Sequence, residues 1–306
     1  MANSGRFTTG SIPRALQYGV DDQVTHLNKV YGMVGEKLFS KKSSNEKGFY
    51  EAITLAGMGE ASRKGEGSPI SYDSLDQESN TRWAIHTFVK AARMTMESID
   101  DNVIEDVLPR IAKEIAKSLV YTKEVKRAEI FNNAITSGET GPDGQVLIST
   151  AHPLQAGGVS ANRAGTDADF SEDALEQMII LIDGFLNPDG LKSMYNANYL
   201  VVPTQLQFEA CRVLDSKLRT GTANNDLNAI NKSGVVKDYV VWKHLSDSDS
   251  WFVTTDAEDS LVEVNRKGLQ RQEHTDPYTF DLIISIYERY RMLFNDWRGI
   301  AGSFGA

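Results

Sequence analysis

The sequence is poor in the residues that build compact reactive centres. It holds one cysteine, Cys211, so it has neither an intrachain disulfide nor a cysteine-rich metal site. Cys211 lies in Phe208-Glu209-Ala210-Cys211-Arg212-Val213-Leu214, which reads as a helix face with a packed or idle thiol. None of the five histidines (His26, His86, His152, His244 and His274) forms a His-x-x-x-His pair or has a Cys, Asp or Glu at metal-ligand spacing. No Gly-x-Gly-x-x-Gly follows a strand, and neither Gly-x-x-x-x-Gly-Lys-Ser/Thr nor Gly-x-Ser-x-Gly occurs. Ser44-x-x-Lys47 matches the first element of serine acyl-transferases, without the companion Ser-Asp-Asn and Lys-Thr-Gly elements. Asp247-x-Asp249 lacks a continuing ligand series and reads as a solvated turn. Basic excess is missing as well. Lys plus Arg is 32 against 42 for Asp plus Glu, a net charge of −10, which excludes a chain that grips nucleic acid through neutralised phosphates. No run approaches the roughly 18 apolar residues of a membrane span. Met-Ala-Asn-Ser-Gly-Arg-Phe carries no apolar signal core. The expectation is a soluble chain of a reducing compartment, with no cofactor and no membrane partner.

What is present is ordinary globular material: 306 residues, 41% apolar and 24% charged, enough for a large core and a prior of two domains. Residues 1–19, rich in Gly, Ser and Thr, read as an extended arm. Val24, Leu27, Val30, Tyr31, Val34 and Leu38 mark a weak amphipathic helix over 20–39, and Lys41 to Lys47 reads as a polar break. Phe49 to Leu55 is strand-like. The stretch from Gly57 to Pro69 has four glycines and no periodicity. From Thr81 the chain alternates, with Trp83, Ile85, Thr87 and Val89 on one face and Arg82, Ala84, His86 and Phe88 on the other. Residues 48–92 therefore read as a long two-stranded excursion. A lone hairpin is marginal in water, so it needs a surface to lie on, and another subunit can supply one.

The strongest helical signal covers 98–135. Ser98 or Asp100 caps a short first helix, and Pro109 opens a long second one, with Ile111, Ile115, Leu119, Thr122, Val125, Ala128, Phe131 and Ile135 on one face. Lys, Arg and Glu fill its other face, and Gly138 is its stop. Gly141-Pro142-Asp143-Gly144 is a turn. Ser171 caps a helix bearing Leu175, Met178, Ile179, Ile182 and Phe185. Tyr199 to Val202 is a short buried strand, and Thr204 caps a helix to about Leu214. Arg219 to Ser233 is a polar loop. Val235 to Trp242, Trp251 to Thr254 and Leu261 to Asn265 are strands. Thr279 to Leu293 is a long one, with Glu288 interrupting an apolar face. Strands and helices interleave irregularly, which predicts an α+β fold.

Four motifs carry a resemblance. They are Asp143-Gly144-Gln145-Val146-Leu147-Ile148-Ser149-Thr150-Ala151-His152-Pro153-Leu154 with Gly157-Gly158 and Asn162; Tyr199-Leu200-Val201-Val202-Pro203 with Phe208-Glu209-Ala210; the run Leu218 to Ala229; and Asp296-Trp297-Arg298-Gly299-Ile300-Ala301-Gly302-Ser303. In this order they resemble the major capsid proteins of tailed bacteriophages over about residues 15–306. The resemblance implies the Hong Kong 97-type capsid fold: an N-terminal arm at 1–46, an extended loop at 47–92, a peripheral domain at 93–170 with its spine helix near 109–135, an axial domain at 171–257, return strands of the peripheral domain at 258–293 and a C-terminal segment at 294–306. It implies hexamers and pentamers of this chain closing an icosahedral shell around double-stranded DNA that is enclosed without specific binding. Portal protein and scaffold or decoration proteins are the implied partners. The implied place is the virion capsid, assembled in the cytoplasm of a host bacterium. The expected inter-subunit contacts are Arg63, Lys64, Glu66, Trp83, Glu288, Trp297 and Arg298.

Some members of that family cross-link a loop Lys to a neighbour's Asn with help from a Glu. Lys64 and Glu288 resemble the donor and the assisting acid, but Asp281 stands at the acceptor position, which argues against this cross-link here. The family's large cleaved N-terminal segment has no room ahead of the spine helix, so a separate scaffold, or a chain already matured, is expected. Two other readings are an encapsulin-like compartment around a cargo enzyme and a hydrolase using Ser44 or His152.

Overall fold

The computed structural model describes residues 33–44, 47–55, 57, 59–70, 72, 77–95, 97, 104–136, 139–218 and 227–305. Most of the expected arm helix, the caps Ser98 and Asp100, the stop at Gly138 and residues 219–226 lie outside them. The strands are β1 (Ser40–Ser43), β2 (Phe49–Leu55), β3 (Gln77–Ala84), β4 (His86–Met94), β5 (His152–Pro153), β6 (Val159–Ser160), β7 (Ala197–Val202), β8 (Asp238–Val241), β9 (Trp251–Thr255), β10 (Leu261–Thr275), β11 (Leu282–Phe294) and β12 (Ile300–Ser303). The helices are α1 (Ile104–Asn132), α2 (Glu172–Asp183), α3 (Gln207–Asp215) and α4 (Ala229–Ser233). Short 3-10 turns cover Val34–Lys37, Thr204–Leu206 and Trp297–Gly299.

One four-stranded sheet runs β1-β10-β11-β4, with β1 parallel to β10 and the other pairs antiparallel. α1 lies along it. Ile115 and Leu119 pack with Met94, Ile284 and Ile286, and Ala128 and Phe131 pack with Val262, Tyr290 and Leu293. The second sheet runs β12-β9-β7-β8 and is flanked by α2 and α3, whose Leu175, Met178, Ile182, Ala210 and Val213 meet Leu200, Val202 and Val253. The two packed layers meet where Phe131 sits edge-on to Trp242 and Phe252, at 5.1 and 5.3 Å between ring centroids. This is the expected α+β class. The C-terminal residues do not trail off: β12 pairs with β9 and completes the second sheet.

Several expectations need correction. α1 begins at Ile104 and runs through Pro109 rather than starting there. The first turn of a helix has no internal partners for its N–H groups, so a proline just beyond it forfeits a single hydrogen bond while the long packed stretch supplies the stability. The polar face of α1 is not wholly solvated, because Glu124 and Arg127 are buried. Lys41 to Lys47 is not simply a break: Ser40–Ser43 pairs in register with Val262–Asn265. Thr204 opens a 3-10 turn and makes no side-chain cap, whereas Ser171 Oγ accepts from Ala174 N at 3.1 Å as expected. The alternation from Thr81 does not persist. Trp83 and Ile85 are buried, then the ladder breaks at Ile85, and beyond it Phe88, Ala92 and Met94 face inward while Thr87 and Val89 face out. A one-residue slip exchanges the faces of a strand. β10 also extends ten residues past Asn265, through a stretch too polar on both faces to read as a strand.

Candidate assembly surfaces

β2 and β3 form an antiparallel hairpin, in register from Phe49↔Ala84 to Thr54↔Ser79, with a register shift before Leu55↔Gln77. Its base is fixed in the subunit. The Trp83 ring lies 5.8 Å from Phe294, Arg291 sits over it at 5.6 Å, and Ile85 N donates to Gly48 O. Arg82 braces the exposed side through Glu51 at 2.7 Å and stacks over Phe49 at 4.1 Å. The Arg82 guanidinium, followed by weaker effects of Lys47, holds the Glu51 carboxyl below its usual range. Beyond the strands, every described residue from 59 to 70 is exposed, including Arg63, Lys64 and Glu66, and Tyr72 is 93% exposed. A hairpin with this tip offers backbone edges and side chains to another chain. A second projection is the turn joining β10 to β11. Tyr278 and Phe280 are 91% and 62% exposed there, and Phe280 takes a left-handed φ of 58°. Arg93 braces that turn through Asp281 (2.6 Å), Asp276 and Thr279. Scattered exposed apolar residues are normal on a monomer; aromatics gathered on projections mark contact surfaces.

The other four expected contact residues lie inside the subunit, where they have almost no surface to offer a neighbour. Trp83 anchors the hairpin. Glu288 is buried on the inward parity of β11, between Ile286 and Tyr290, and is neutralised by Lys123 Nζ at 2.8 Å. Trp297 stacks on His152 at 4.3 Å and meets Phe185 edge-on. Arg298 is 3% exposed and donates to Leu186 O at 2.7 Å and to Asp296 at 3.1 Å. For Trp297 and Arg298 the sequence signal was the motif from Asp296 to Ser303, whose physical content is packing of the C-terminal segment. Trp83 Nε1 and Arg298 Nη2 are buried without a hydrogen-bond partner.

Sequence reasoning missed a buried ionic cluster. Arg127 reaches Glu263 on β10 at 2.5 Å and Glu124 at 2.6 Å, and Gly35 N donates to Glu124 Oε2 at 3.3 Å. A Cβ on Gly35 would stand 2.7 Å from Arg127 Cδ, so the turn at 34–37 sits directly on the aliphatic stem of Arg127. Burial opposes ionisation of Glu263, but Arg127 outweighs it and holds the carboxyl below its usual range. The i, i+3 spacing of Glu124 and Arg127 was the only available signal.

Among the described residues no reactive constellation emerges. Ser44 Oγ faces Phe49 O at 3.5 Å, and both ring nitrogens of His152 are engaged, by Asp143 and Asn162. In the 230 Å³ cavity lined by His86, Lys126, Glu129, Glu139 and Arg291, Arg291 pairs with Glu139 and Lys126 with Glu129. Burial first, and then Arg291, hold His86 below the usual imidazole range. Among the described residues no cluster of three or more His, Cys, Asp or Glu could hold a metal, and no helix is long and apolar enough to cross a membrane.

Comparison with known proteins agrees with this geometry. A family model described as phage capsid protein matches residues 78–303. The capsid of a native GTA particle is similar at 12% identity over 90% of each chain, with a TM-score of 0.57. The capsid of cyanophage P-SCSP1u is similar at 11% identity over 88% of this chain and 86% of that one, also with a TM-score of 0.57. A virus-like particle from Pyrococcus furiosus is similar at 9% identity over 94% and 97%, with a TM-score of 0.52. No curated protein sequence matches.

Proposed function

Because the chain belongs to the phage capsid protein family, with the Hong Kong 97-type fold, we propose that the icosahedral shell this major capsid protein forms is built of hexamers and pentamers and encloses double-stranded DNA. The family match over 78–303 carries the reading. The protein is structural, and we assign it no catalytic role. The division proposed is an arm at 1–46, an extended loop at 47–92, a peripheral domain at 93–170 and 258–293, an axial domain at 171–257 and a terminal segment at 294–306. Arg63, Lys64 and Glu66 are the contacts we retain from the sequence, since they stand exposed on the hairpin's loop. Each tether is modest, but a closed shell engages many at once, so the assembly is stable through multivalency. The net charge of −10 opposes adhesion of packaged DNA, which is held without specific binding. Portal and scaffold or decoration proteins complete the particle, which assembles in the bacterial cytoplasm.

Negative-stain microscopy and light scattering of the expressed full chain test this. Closed polyhedral particles, or free capsomers awaiting scaffold, are the expected outcomes. A monodisperse monomer or dimer at high concentration refutes it. Deleting 48–92 should leave soluble unassembled subunits, and intact shells from that deletion would refute tethering by the hairpin. An encapsulin-like compartment would show a cargo protein in place of DNA within the particles.

A further inference from the structure

His152 is fully buried at the junction between the 141–162 segment and the C-terminal segment. Its Nδ1 is 2.5 Å from Asp143 Oδ2 and its Nε2 is 3.1 Å from Asn162 Oδ1. The orientation of Asn162 is settled by its other partners. Its Nδ2 donates to the carbonyls of Leu147 (2.8 Å), Trp297 (3.2 Å) and Ile300 (2.9 Å), and its Oδ1 accepts from Ser149 N at 2.9 Å. Flipping the amide would set an oxygen against three carbonyls and an NH2 against an N–H. So Nε2 faces an oxygen that can only accept. Nδ1 faces a carboxylate that also accepts Gln145 N, and although burial opposes its charge, His152 and these hydrogen bonds hold Asp143 below its usual range. Two acceptors require two donors, which only an imidazolium supplies.

We propose that His152 is held doubly protonated and acts as a proton-dependent staple between the 141–162 segment and the 297–303 segment. Its ring stacks on Trp297 within 6° of parallel, and Arg298 lies over the same indole at 4.6 Å. The charged groups around it are therefore Asp143 from the turn, and Arg298 with its partner Asp296 from the C-terminal side. Arg163, next to Asn162, is taken up by Asp167. The buried positive charge thus has one direct counter-ion, Asp143. With both protons in place each acceptor is satisfied, and loss of either one loosens the junction, because a bare nitrogen then faces the carboxylate or the amide oxygen.

The test uses the full chain labelled with 15N-histidine, as sedimented particles or capsomers, with solid-state 15N spectra between about pH 6 and pH 9. The expected result is one histidine with both nitrogens protonated, persisting above the titration of the others and lost in Asp143→Asn. Amide exchange at 147–149 and 297–302, corrected for its intrinsic pH dependence, should quicken once that ring carries a single proton. The Asp143→Asn protein should lack the transition. A single protonated nitrogen on every histidine throughout, or junction exchange independent of pH, overturns the proposal. If Asp143→Asn does not fold, the parent spectrum decides it alone.

Discussion

Replacing Arg127 by Met should damage the subunit more than any surface change of equal size. The guanidinium and Glu263 are each 2% exposed at their side chains, and Glu124 is 11% exposed. Met fills much of the same volume, so the substitution leaves little void. What it leaves is two carboxylates in a dry site without a counter-charge. Removing one partner of a buried pair costs about 3–5 kcal/mol. Domain stability is about 5–15 kcal/mol, so about a fifth or more of it should go. The four tryptophans are all buried, and Trp242 packs against Phe131 within one helical turn of Arg127, so fluorescence in urea reports the loss as a lower midpoint at fixed subunit concentration. The pH dependence should reverse its sign. In the parent, the depressed Glu263 contributes stability that is complete above the unfolded carboxyl value near 4.3 and fades as the pH falls through the folded one. In Arg127→Met the stranded carboxylates gain from protonation, so stability should rise as the solution is acidified. The triple change Glu124→Gln, Arg127→Met, Glu263→Met should recover most of the loss, because removing the charges together removes the desolvation problem. A midpoint for Arg127→Met equivalent to within about 1 kcal/mol of the parent, against the loss expected for a stranded buried charge, refutes the reasoning.

Gly302→Ala should lower the melting temperature of the subunit, by an overpacking cost of about 1–3 kcal/mol, because the new Cβ would stand 2.6 Å from Phe252 and 2.7 Å from Ile148. Ser171→Ala should cost about 1 kcal/mol in a denaturant titration by removing the cap on Ala174 N, with assembly unchanged because the residue is exposed at the start of α2. Denaturing gels of assembled particles should show monomer without a covalent ladder. The resemblance sets Asp281 where the cross-linking members carry Asn, and in the structure Asp281 is paired with Arg93 and Glu288 with Lys123.

Elements with a clear apolar pattern were legible in the sequence. α2 with its Ser171 cap and the long β11 follow from periodicity, the buried strand β7 from its short unbroken apolar run, and the hairpin from alternation around a glycine-rich stretch. Elements defined by pairing rather than by apolar pattern were not. Ser40–Ser43 is polar and becomes a strand only because β10 offers an edge. The exchange of faces at Ile85 reflects a change of sheet partner, from β2 to β11, which no local pattern announces. The motif around Trp297 and Arg298 identified the family, but their burial against His152 and Leu186 depends on contacts more than a hundred residues away in sequence. The exposed tip residues Arg63, Lys64 and Glu66 were readable because nothing near them could bury them.

The pairing of β10 with β11 contains two register shifts, so the chain takes five steps along β10 from Asn265 to Gln270 while β11 takes three from Tyr290 to Tyr287. The surplus lies in the stretch Arg266-Lys267-Gly268-Leu269, where Lys267 and Gly268 are exposed. Leu269 is tied to the core by packing against the cluster of Ile115, Leu119 and Ile284, but at Lys267 and Gly268 the count matters more than the composition. Losing or gaining one residue there would turn every side chain from Arg271 to Thr275 to the opposite face of the ladder. Substitution and indel thus have opposite tolerances at the same address.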